Sequence, residues 1–327
     1  MADSPLVQVS EIRKSFGDVH ALAGASLAIE AGTVYGLLGA NGAGKTTLIN
    51  VLSTLLRPDS GTASIAGIDV TRDPQGVRRR VGLAGQFAAV DDYQTGHENV
   101  EMVGRLYGLS GKDASRRARD VLERFNLSDA ANRKVSTYSG GMRRRLDLAA
   151  SLVGRPEVLF LDEPTTGIDP ASRVDIWELI RDLVDAGTTV LLTTQYLEEA
   201  DELATLIGVI DHGTIITEGT ADELKDSLAA NTVRLRVHDN EVDATRRVLG
   251  ELHGADQPTG GLFELRAVDG NRTVIDILRR LDEGGIEPLE LALERPSLDD
   301  VFLSLTGHRP ANGSSSDNGT QTSEDDE

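Results

Sequence analysis

The chain contains no cysteine, and only 4% of its 327 residues are aromatic. The absence of cysteine excludes disulfides, thiolate metal sites and cysteine nucleophiles, and it fits a reducing compartment. The longest apolar runs, such as residues 158–161 and 203–210, fall far short of the roughly 18–20 residues that cross a bilayer. Because the N-terminus also lacks the basic start and apolar stretch of an export signal, we expect a protein inside the cell that does not itself cross a membrane.

Positive charge is also scarce, since 33 Lys and Arg residues stand against 53 Asp and Glu residues and give a formal net charge of −20. Nucleic acids are bound through clustered basic surfaces, so this balance argues against nucleic acid as the main partner. Two runs of three arginines do occur, at residues 78–80 and 143–145. Adjacent arginines in a helical stretch are most often a solvent-exposed face, and we interpret both runs in that way.

The pattern of apolar residues indicates the fold class. An apolar content of 39% over this length predicts one large core and a second, smaller one. Up to about residue 219, short β-rich runs alternate with helical patterns, which is typical of an α/β fold with a mostly parallel sheet. Strands covered on both faces are apolar throughout, and four runs fit that description: residues 34–38, 158–161, 190–193 and 207–210.

The remaining patterns predict how the chain is divided. Residues 95–154 read as a helical insert, with a helix at 114–125. After about residue 222 the sequence predicts a small α/β domain, in which Ser297 and Asp300 form a capping box that opens a last helix ending at Gly307. From residue 308 the chain is too polar to offset its ordering entropy and should be disordered. The strands predicted in the small domain are 232–237, 262–268 and 289–293, and the helices lie near 243–252 and 273–281.

Residues 39–47, Gly-Ala-Asn-Gly-Ala-Gly-Lys-Thr-Thr, follow the apolar run 34–38 and precede a helix-compatible run at 47–56. In that context the pattern G-x-x-x-x-G-K-[ST] predicts a phosphate-binding loop, because its glycines let backbone N–H groups converge at a helix N-terminus. Lys45 should reach the β- and γ-phosphates, and the Thr46 hydroxyl should ligate Mg²⁺. The loop residues expected to hold the nucleotide are Gly39, Asn41, Gly42, Ala43, Gly44, Lys45, Thr46 and Thr47.

A phosphate-binding loop alone leaves kinases, GTPases and motor ATPases open. A second motif narrows the choice, because the apolar run 158–161 ends in two adjacent acids, Asp162 and Glu163. At the end of a buried strand, Asp162 can hold Mg²⁺ through water and Glu163 can polarise the attacking water. Alone, the two acids fit an ordinary exposed turn equally well. Beside the phosphate-binding loop, they favour hydrolysis of a nucleoside triphosphate.

The third motif is Tyr-Ser-Gly-Gly-Met at residues 138–142, which begins a helical run. A hydroxyl and two glycines at a helix start let the backbone approach a γ-phosphate closely. The motif resembles the signature sequence of ABC (ATP-binding cassette) ATPases, whose commonest form is Leu-Ser-Gly-Gly-Gln. The resemblance implies that Ser139, Gly140 and Gly141 contact ATP held by the loop of a second copy in a head-to-tail homodimer.

The same resemblance assigns further roles. It places Phe16 where an aromatic stacks on adenine, although a core phenylalanine is the alternative. It places Gln86 at the Q-loop, which links Mg²⁺ and the attacking water to the permease, and Asp169 at the D-loop between subunits. Gln195 replaces the usual switch histidine; its amide can donate a hydrogen bond but cannot relay a proton, so hydrolysis is either slow or more dependent on Glu163. The implied catalytic residues are Glu163, Gln195 and Gln86, and the implied Mg²⁺ ligands are Thr46, Gln86 and Asp162.

These motifs, together with the ending Pro-Ser-Leu-Asp-Asp-Val-Phe-Leu-Ser-Leu-Thr-Gly at residues 296–307, resemble the daunorubicin/doxorubicin resistance ATP-binding proteins over roughly residues 7–307. The implied fold is an ABC cassette with a mostly parallel sheet core, an antiparallel β part and a helical subdomain, followed by a small C-terminal α/β domain. The domains expected are a nucleotide-binding domain at 1–225 with its helical subdomain at about 90–150, an accessory or regulatory domain at 226–307, and a disordered acidic tail at 308–327.

The resemblance implies an ATPase that dimerises around two Mg-ATP and drives a separate transmembrane permease. The chain would lie on the cytoplasmic face of the membrane, without a lipid anchor, and support export of a drug or another hydrophobic compound. Export of a lipid, a polysaccharide or an ion stays open. A soluble ABC ATPase acting on ribosomes or DNA is disfavoured, because such relatives carry two cassettes or long coiled coils, and this sequence has one phosphate-binding loop and no heptad tract. A ligand-sensing C-terminal domain is compatible with the transporter interpretation.

Overall fold

The computed structural model describes residues 5–86, 89–228, 231–250, 260–267 and 271–307. The strands are β1 Val7–Phe16, β2 Val19–Ile29, β3 Val34–Leu38, β4 Ser60–Ile65, β5 Ile68–Asp69, β6 Val81–Ala84, β7 Val158–Asp162, β8 Thr189–Thr194, β9 Leu206–Asp211, β10 Thr214–Gly219, β11 Asn231–Arg236, β12 Leu262–Ala267 and β13 Glu290–Glu294. The helices are α1 Lys45–Leu52, α2 Pro74–Arg78, α3 Gly96–Leu106, α4 Gly111–Arg124, α5 Gly140–Ser151, α6 Pro170–Asp185, α7 Leu197–Leu203, α8 Ala221–Asp226, α9 Val242–Leu249, α10 Asn271–Glu283 and α11 Leu298–Thr306. Across these ranges, no helix is both long and apolar enough to cross a membrane.

The central sheet has six strands in the order β10-β9-β3-β8-β7-β6. All neighbouring strands are parallel except β10, which forms an antiparallel hairpin with β9. β3, β7 and β8 are buried along their whole length, as apolar strands covered on both faces must be. The four predicted strands are therefore confirmed, each within one residue of its predicted ends. Because parallel strands end at the same edge, the loops after β3 and β7 meet there.

A second sheet, β2-β1-β4-β5, is antiparallel throughout. Its inward residues, among them Val9 and Leu27, share one buried cluster with α1 and with β7 of the central sheet. This is the antiparallel β part that the family resemblance implied, and the fold prediction is confirmed. The sheet covers one face of the helix that follows the phosphate-binding loop.

The predicted helical insert is present as α3, α4 and α5. α3 opens in a capping box between Thr95 and Glu98, and α4 begins at the Ser110 cap, a few residues before its predicted start. Apolar residues of all three helices join a buried cluster with β7, β8 and α6. The insert is thus packed directly against the strand that ends in Asp162.

The first helix differs from its prediction, which placed a helical run at residues 47–56. α1 spans Lys45–Leu52, with Ser53 as its cap. The chain then turns at Thr54, whose φ is 63°, and the N–H groups of Leu55 and Leu56 both bond to the Asn50 carbonyl. This left-handed turn closes the helix end, so the apolar residues that suggested a longer helix belong to the loop after it.

The C-terminal part contains the three-stranded antiparallel sheet β12-β11-β13 with α9 and α10, around a core of its own. The ends of predicted strand 262–268 and predicted helix 243–252 lie outside the described residues, as does the predicted tail at 308–327. The capping box of Ser297 and Asp300 and the helix end at Gly307 are confirmed. However, α11 does not join this core. Its buried residues pack on α7, α8 and the central sheet; they are Leu298, Val301 and Phe302.

Candidate nucleotide-binding site

A cavity of about 440 Å³ opens where the loops after β3 and β7 meet. Eight of the predicted site residues line it, although they come from three separate stretches of sequence. The structure thus brings together the phosphate-binding loop, Gln86 and Glu163, the second of the two acids at the end of β7. The described lining residues are Val19, His20, Ala21, Asn41, Gly42, Gly44, Lys45, Thr46, Thr47, Gln86, Glu163 and His212.

The loop has a backbone that only glycine permits at two positions. Gly44 has φ 112°, and a Cβ there would lie 2.5 Å from the Ala21 carbonyl oxygen. A Cβ on Gly39 would lie 2.5 Å from the carbonyl oxygen of Ile210. Real side chains do not come this close to a backbone, so the loop keeps its tight curve only with these glycines. α1 begins directly after it, and the first N–H groups of a helix lack intrahelical partners and favour an anion.

A buried ion pair joins the loop to the acidic strand end. Lys45 Nζ lies 3.3 Å from a carboxylate oxygen of Glu163, and the two side chains are 4% and 8% exposed. The same ammonium donates to the carbonyl oxygens of Gly39 at 2.7 Å and Ala40 at 3.1 Å. Burial lowers the pKa of Lys45, and the Glu163 carboxylate opposes that shift. A buried cation with one anionic partner, set beside a glycine cradle, fits a phosphate group.

Two of the predicted magnesium ligands, Thr46 and Gln86, line the cavity, whereas the third, Asp162, is not among its described lining residues. Gln86 Nε2 is 3.5 Å from the Thr46 hydroxyl, and Asp162, 3% exposed, accepts a 2.6 Å bond from the hydroxyl of Thr193. The described residues hold no cluster of three or more His, Cys, Asp or Glu side chains suited to a metal. A hydroxyl, an amide and one carboxylate fit Mg²⁺, which usually completes its shell with water and substrate phosphates.

Glu163 is held in an unusual backbone conformation. Its φ is 49°, in the left-handed region that non-glycine residues seldom occupy. Its N–H bonds to both the carbonyl and the hydroxyl of Thr193 at 3.1 Å, and its carboxylate accepts a 3.3 Å bond from Thr166. β8 therefore holds the turn that brings the Glu163 side chain beside Lys45. Sequence reasoning could not detect this turn, since Thr193 lies 30 positions away.

The structure does not bring the 138–142 motif into this cavity. Ser139 caps α5 and accepts a 3.3 Å bond from the N–H of Met142, so the predicted helix start is confirmed. None of residues 138–142 is among the described residues that line the cavity. A Cβ on Gly140 would meet nothing within 4 Å. The motif therefore offers an open helix start that is separate from the phosphate-binding loop of the same chain.

The structure shows the surroundings of three further predicted residues, and the roles assigned to them remain predictions. Phe16 is 52% exposed at the end of β1, with the Lys14 ammonium 5.7 Å from its ring centre, so the alternative of a core phenylalanine is wrong. Asp169 caps α6, and the Ser172 N–H that donates to it lowers the pKa of its carboxyl. Gln195 follows β8 and is half-buried.

Sequence reasoning missed a buried arginine. The interpretation of residues 143–145 as a solvated run is wrong for Arg144, which is only 5% exposed. Its guanidinium bonds to three backbone carbonyls and to Asp147. A guanidinium can be buried in this way because its five donors find enough acceptors. The neighbouring Arg143 pairs with Asp92 at 2.5 Å, and the run at 78–80 lies at or near the surface as expected.

A buried carboxyl was missed as well. Glu199 on α7 is 0% exposed, and one of its oxygens accepts bonds from the Thr165 hydroxyl at 2.9 Å and the Trp177 indole at 3.2 Å. Its other oxygen has no hydrogen-bond partner in the described part of the chain. Burial raises the pKa of Glu199, while the hydrogen bonds that it accepts oppose the shift.

We expect Glu199→Gln to raise the thermal midpoint at pH 8 by about 2–4 °C, the shift that ~1 kcal/mol gives a domain of 150–250 residues. The pKa of this carboxyl is higher in the folded state, so its ionisation costs stability as the pH rises through the folded value. Glutamine keeps the accepting oxygen without the charge. The difference in thermal midpoint between Glu199→Gln and the wild type should therefore become smaller as the pH of the melting experiment is lowered.

The control for this prediction is Glu198→Gln, because the Glu198 side chain is 74% exposed and belongs to a weak surface pair with Arg173. Its midpoint should stay close to that of the wild type at every pH. A lower midpoint for Glu199→Gln at pH 8 would show that Glu199 is needed in its ionised form.

The fold and the site define a class of protein: a P-loop ATPase built as an ABC cassette, with a parallel sheet core, an antiparallel sheet and a helical insert. Comparisons with known proteins agree. A family profile described as ABC transporter matches residues 22–166, and one described as ATP-binding protein DrrA1-3-like, C-terminal domain, matches residues 219–306.

The chain is 51% identical to the daunorubicin/doxorubicin resistance ATP-binding protein DrrA of Streptomyces peucetius, over 92% of each protein. It is 49% identical to the doxorubicin resistance ATP-binding protein DrrA of Mycobacterium tuberculosis, over 93% of this chain and 94% of that one. A dimeric post-hydrolysis cassette bound to ADP and Pi superposes with a TM-score of 0.60 at 26% identity, covering 65% of this chain and 98% of its own. The chain belongs to the DrrA-type ATP-binding proteins of ABC transporters, and it is an ATP-binding subunit with ATPase activity.

Proposed function

We propose that this chain hydrolyses ATP as a homodimer around two Mg-ATP and thereby drives a separate membrane permease that exports a drug or another hydrophobic compound. The observation that carries the proposal is the convergence of the phosphate-binding loop, Gln86 and Glu163 on one cavity around the buried Lys45–Glu163 pair. ATP fits such a cavity, because its anionic phosphates would bind the N–H groups of the loop and the Lys45 ammonium.

In the proposed reaction, the residues around the cavity divide the work. The N–H groups of the loop and the Lys45 ammonium bind the phosphates, and Lys45 exchanges its Glu163 partner for them. The freed Glu163 carboxylate accepts a proton from the attacking water, and the Gln195 amide donates a hydrogen bond to the γ-phosphate. Thr46, Gln86 and Asp162 would hold Mg²⁺, and the ion would supply positive charge to neutralise the phosphate oxygens. Phe16 stacks on the adenine.

The proposed dimer completes the site with a second copy. The open helix start at Ser139, with Gly140 and Gly141, contacts the γ-phosphate bound by the loop of the partner, and Asp169 lies at the crossing between subunits. Two facts support this arrangement: the motif is separate from the loop within one chain, and the superposed cassette is dimeric. Loss of the γ-phosphate then weakens the contact and shifts the population toward open subunits.

A second cavity of about 630 Å³ supports the proposed permease contact. It is a groove between β6 and the helices α2, α3 and α5, with apolar side chains that include Val103, Leu106 and Tyr107. Ala89, three residues beyond Gln86, lines it too. A helix of the permease in this groove would sit beside the segment that carries Gln86. We propose that the chain lies on the cytoplasmic face of the membrane through this contact.

The substrate proposal rests on the relatives, which are named for resistance to daunorubicin and doxorubicin. Export of a lipid, a polysaccharide or an ion is the alternative.

We also propose the domain division given by the sequence, with the cassette at 1–225 including its helical subdomain at about 90–150, and an accessory domain at 226–307. The separate core of β11–β13 with α9 and α10 supports it, although α11 packs back on the cassette.

The test of the transporter role is membrane association with and without a cognate permease. We expect the protein to sediment with membranes only when the permease is co-expressed, and to leave protein-free vesicles unbound. Leu106→Asp should abolish this association, because Leu106 is 80% exposed in the groove and a charge there opposes an apolar contact.

The matched control is Leu289→Asp, since Leu289 is also exposed and lies outside the groove. This variant should sediment like the wild type. Strong binding to bare lipid, or equal loss for both variants, would contradict the proposed permease contact.

A further inference from the structure

α5 carries a buried ion pair that the proposed reaction does not use. Arg144 and Asp147 lie one turn apart, each 5% exposed, with Nη1 of the arginine 3.2 Å from a carboxylate oxygen of the aspartate. Taking two charges out of water carries a large desolvation cost that their attraction must offset, so such a pair is weak evidence for a purely stabilising role. The contacts that the two side chains make elsewhere indicate what they do.

Arg144 bonds to the backbone on both sides of Glu163. Its Nε donates to the Pro164 carbonyl at 2.7 Å, and its Nη2 donates to the Asp162 carbonyl at 3.4 Å. Its Nη1 also donates to the carbonyl of Gly85, the residue before Gln86. One planar guanidinium thus joins the left-handed turn at Glu163 to the start of the Q-loop.

Asp147 holds the chain beyond Gln86. A carboxylate oxygen accepts a 3.0 Å bond from the N–H of Ala89. Arg144 and Asp147 together therefore fasten the chain before and after Gln86. Asp147 and Ala89 also line the 630 Å³ groove, so this contact forms part of the groove wall.

We propose that Arg144 and Asp147 are positioning residues that fix Glu163 and Gln86 relative to each other. They also connect the groove to the turn that carries Glu163. The proposal rests on the proposed roles of Glu163 and of the groove. A shift of the groove wall at Ala89 moves Asp147, its partner Arg144 and then the two carbonyls that flank Glu163. Ser139 caps the start of α5, so the same helix carries this movement to the surface proposed to face the second copy.

The choice of arginine follows from its shape. Its five donors lie in a rigid fork that reaches three carbonyls and a carboxylate at once, whereas a lysine ammonium is a compact charge on a flexible stem. Arg144→Lys keeps the positive charge opposite Asp147 but cannot bond to Gly85, Asp162 and Pro164 together. The substitution therefore separates the positioning function from charge pairing.

The test measures kcat, KM and nucleotide affinity of the purified full chain, using a fluorescent ATP analogue for the affinity. For Arg144→Lys we expect kcat to fall by about 10- to 100-fold, since a ~1 Å misplacement of a catalytic group costs up to 10²-fold. KM and the affinity should change by less than ~3-fold, because the loop at 39–47 keeps its contacts. The matched control, Arg145→Lys on the same helix, should retain kcat within ~2-fold on the same scale.

Asp147→Asn tests the same proposal if Arg144→Lys has a lowered thermal midpoint. Asp147→Asn has the same shape and still accepts from the Ala89 N–H, but it loses the charge that faces Arg144; its kcat should fall with KM unchanged. The double variant should lose little more than Arg144→Lys alone, because residues that act as a unit are not additive. Folding is checked by thermal melting.

Normal kcat in folded Arg144→Lys, a rise in KM at constant kcat, or additive losses in the double variant would overturn the proposal. Glu163→Gln in the same assay separates this failure from failure of the proposed reaction. If Glu163→Gln turns over normally, the assignment of Glu163 is wrong. If Glu163→Gln is inactive while Arg144→Lys is active, only the positioning role is wrong.

Discussion

Glu163→Gln is expected to lower ATP turnover by roughly 10²- to 10⁴-fold, the range for loss of a general base. The amide has nearly the shape of the carboxylate but cannot accept the proton of the attacking water. The geometry favours this residue over its neighbour, because Asp162 is bonded to Thr193 whereas Glu163 lies in the cavity beside Lys45. The measurement is phosphate release under saturating Mg-ATP.

ATP binding should survive the same substitution. Glu163 is the only carboxylate paired with Lys45 among the described residues, and removing its charge frees the ammonium for the phosphates. A fluorescent ATP analogue should therefore bind at least as tightly as to the wild type. Glu157→Gln is the control, because Glu157 is a partly exposed residue just before β7 and should leave turnover unchanged. Near-normal turnover of Glu163→Gln would show that another group is the base.

The second large effect concerns assembly. Glu163→Gln protein should become dimeric when Mg-ATP is added and return to monomer when the nucleotide is removed, because blocked hydrolysis keeps the γ-phosphate between the two copies. Light scattering or sedimentation measures the change. Adding Gly140→Asp should weaken this dimer at least ~100-fold, about 2.7 kcal/mol, because the new carboxylate faces the γ-phosphate.

The structure supplies the reason why Gly140→Asp should leave the monomer intact. A Cβ at this position would meet nothing within 4 Å, and an acidic residue is favourable in the first turn of a helix. Gly111→Asp is the matched control, since Gly111 is also the first residue of a helix capped by a serine. The shared site would be excluded if Gly140→Asp left the affinity of the dimer unchanged. It would also be excluded if no dimer formed even in the presence of the permease.

Several features were predictable because the interactions that create them are local. The phosphate-binding loop depends on glycine positions between a buried strand and a helix, and both elements leave clear marks in the sequence. The last helix depends on a capping box whose two members, Ser297 and Asp300, are three residues apart. The end of α1 was harder to predict, since apolar residues continue beyond Ser53 and only the left-handed Thr54 shows where the helix stops.

Other features depend on partners that are distant along the chain. Three adjacent arginines look alike in a sequence, yet Arg144 is buried because folding surrounds its guanidinium with hydrogen-bond acceptors. These acceptors lie 3, 18, 20 and 59 positions away along the chain, so the local sequence does not reveal them. Glu199 resembles the exposed acids around it and is buried against Thr165 and Trp177 from two other segments. The packing of α11 on the cassette also depends on distant partners. The apolar pattern of this helix is compatible with either core, so the sequence alone does not show which core it joins.

The sequence by itself was enough to predict the chemistry of the phosphate-binding loop, of the two acids at the end of β7 and of the motif at residues 138–142, because each is a short pattern whose residue types indicate its function. Only the tertiary structure decided that Lys45 and Glu163 form one buried pair, that Thr193 holds the turn at Glu163, and that Arg144 joins that turn to Gln86. The physical reason is that a buried charge is stable only where folding brings donors and acceptors from several segments around it.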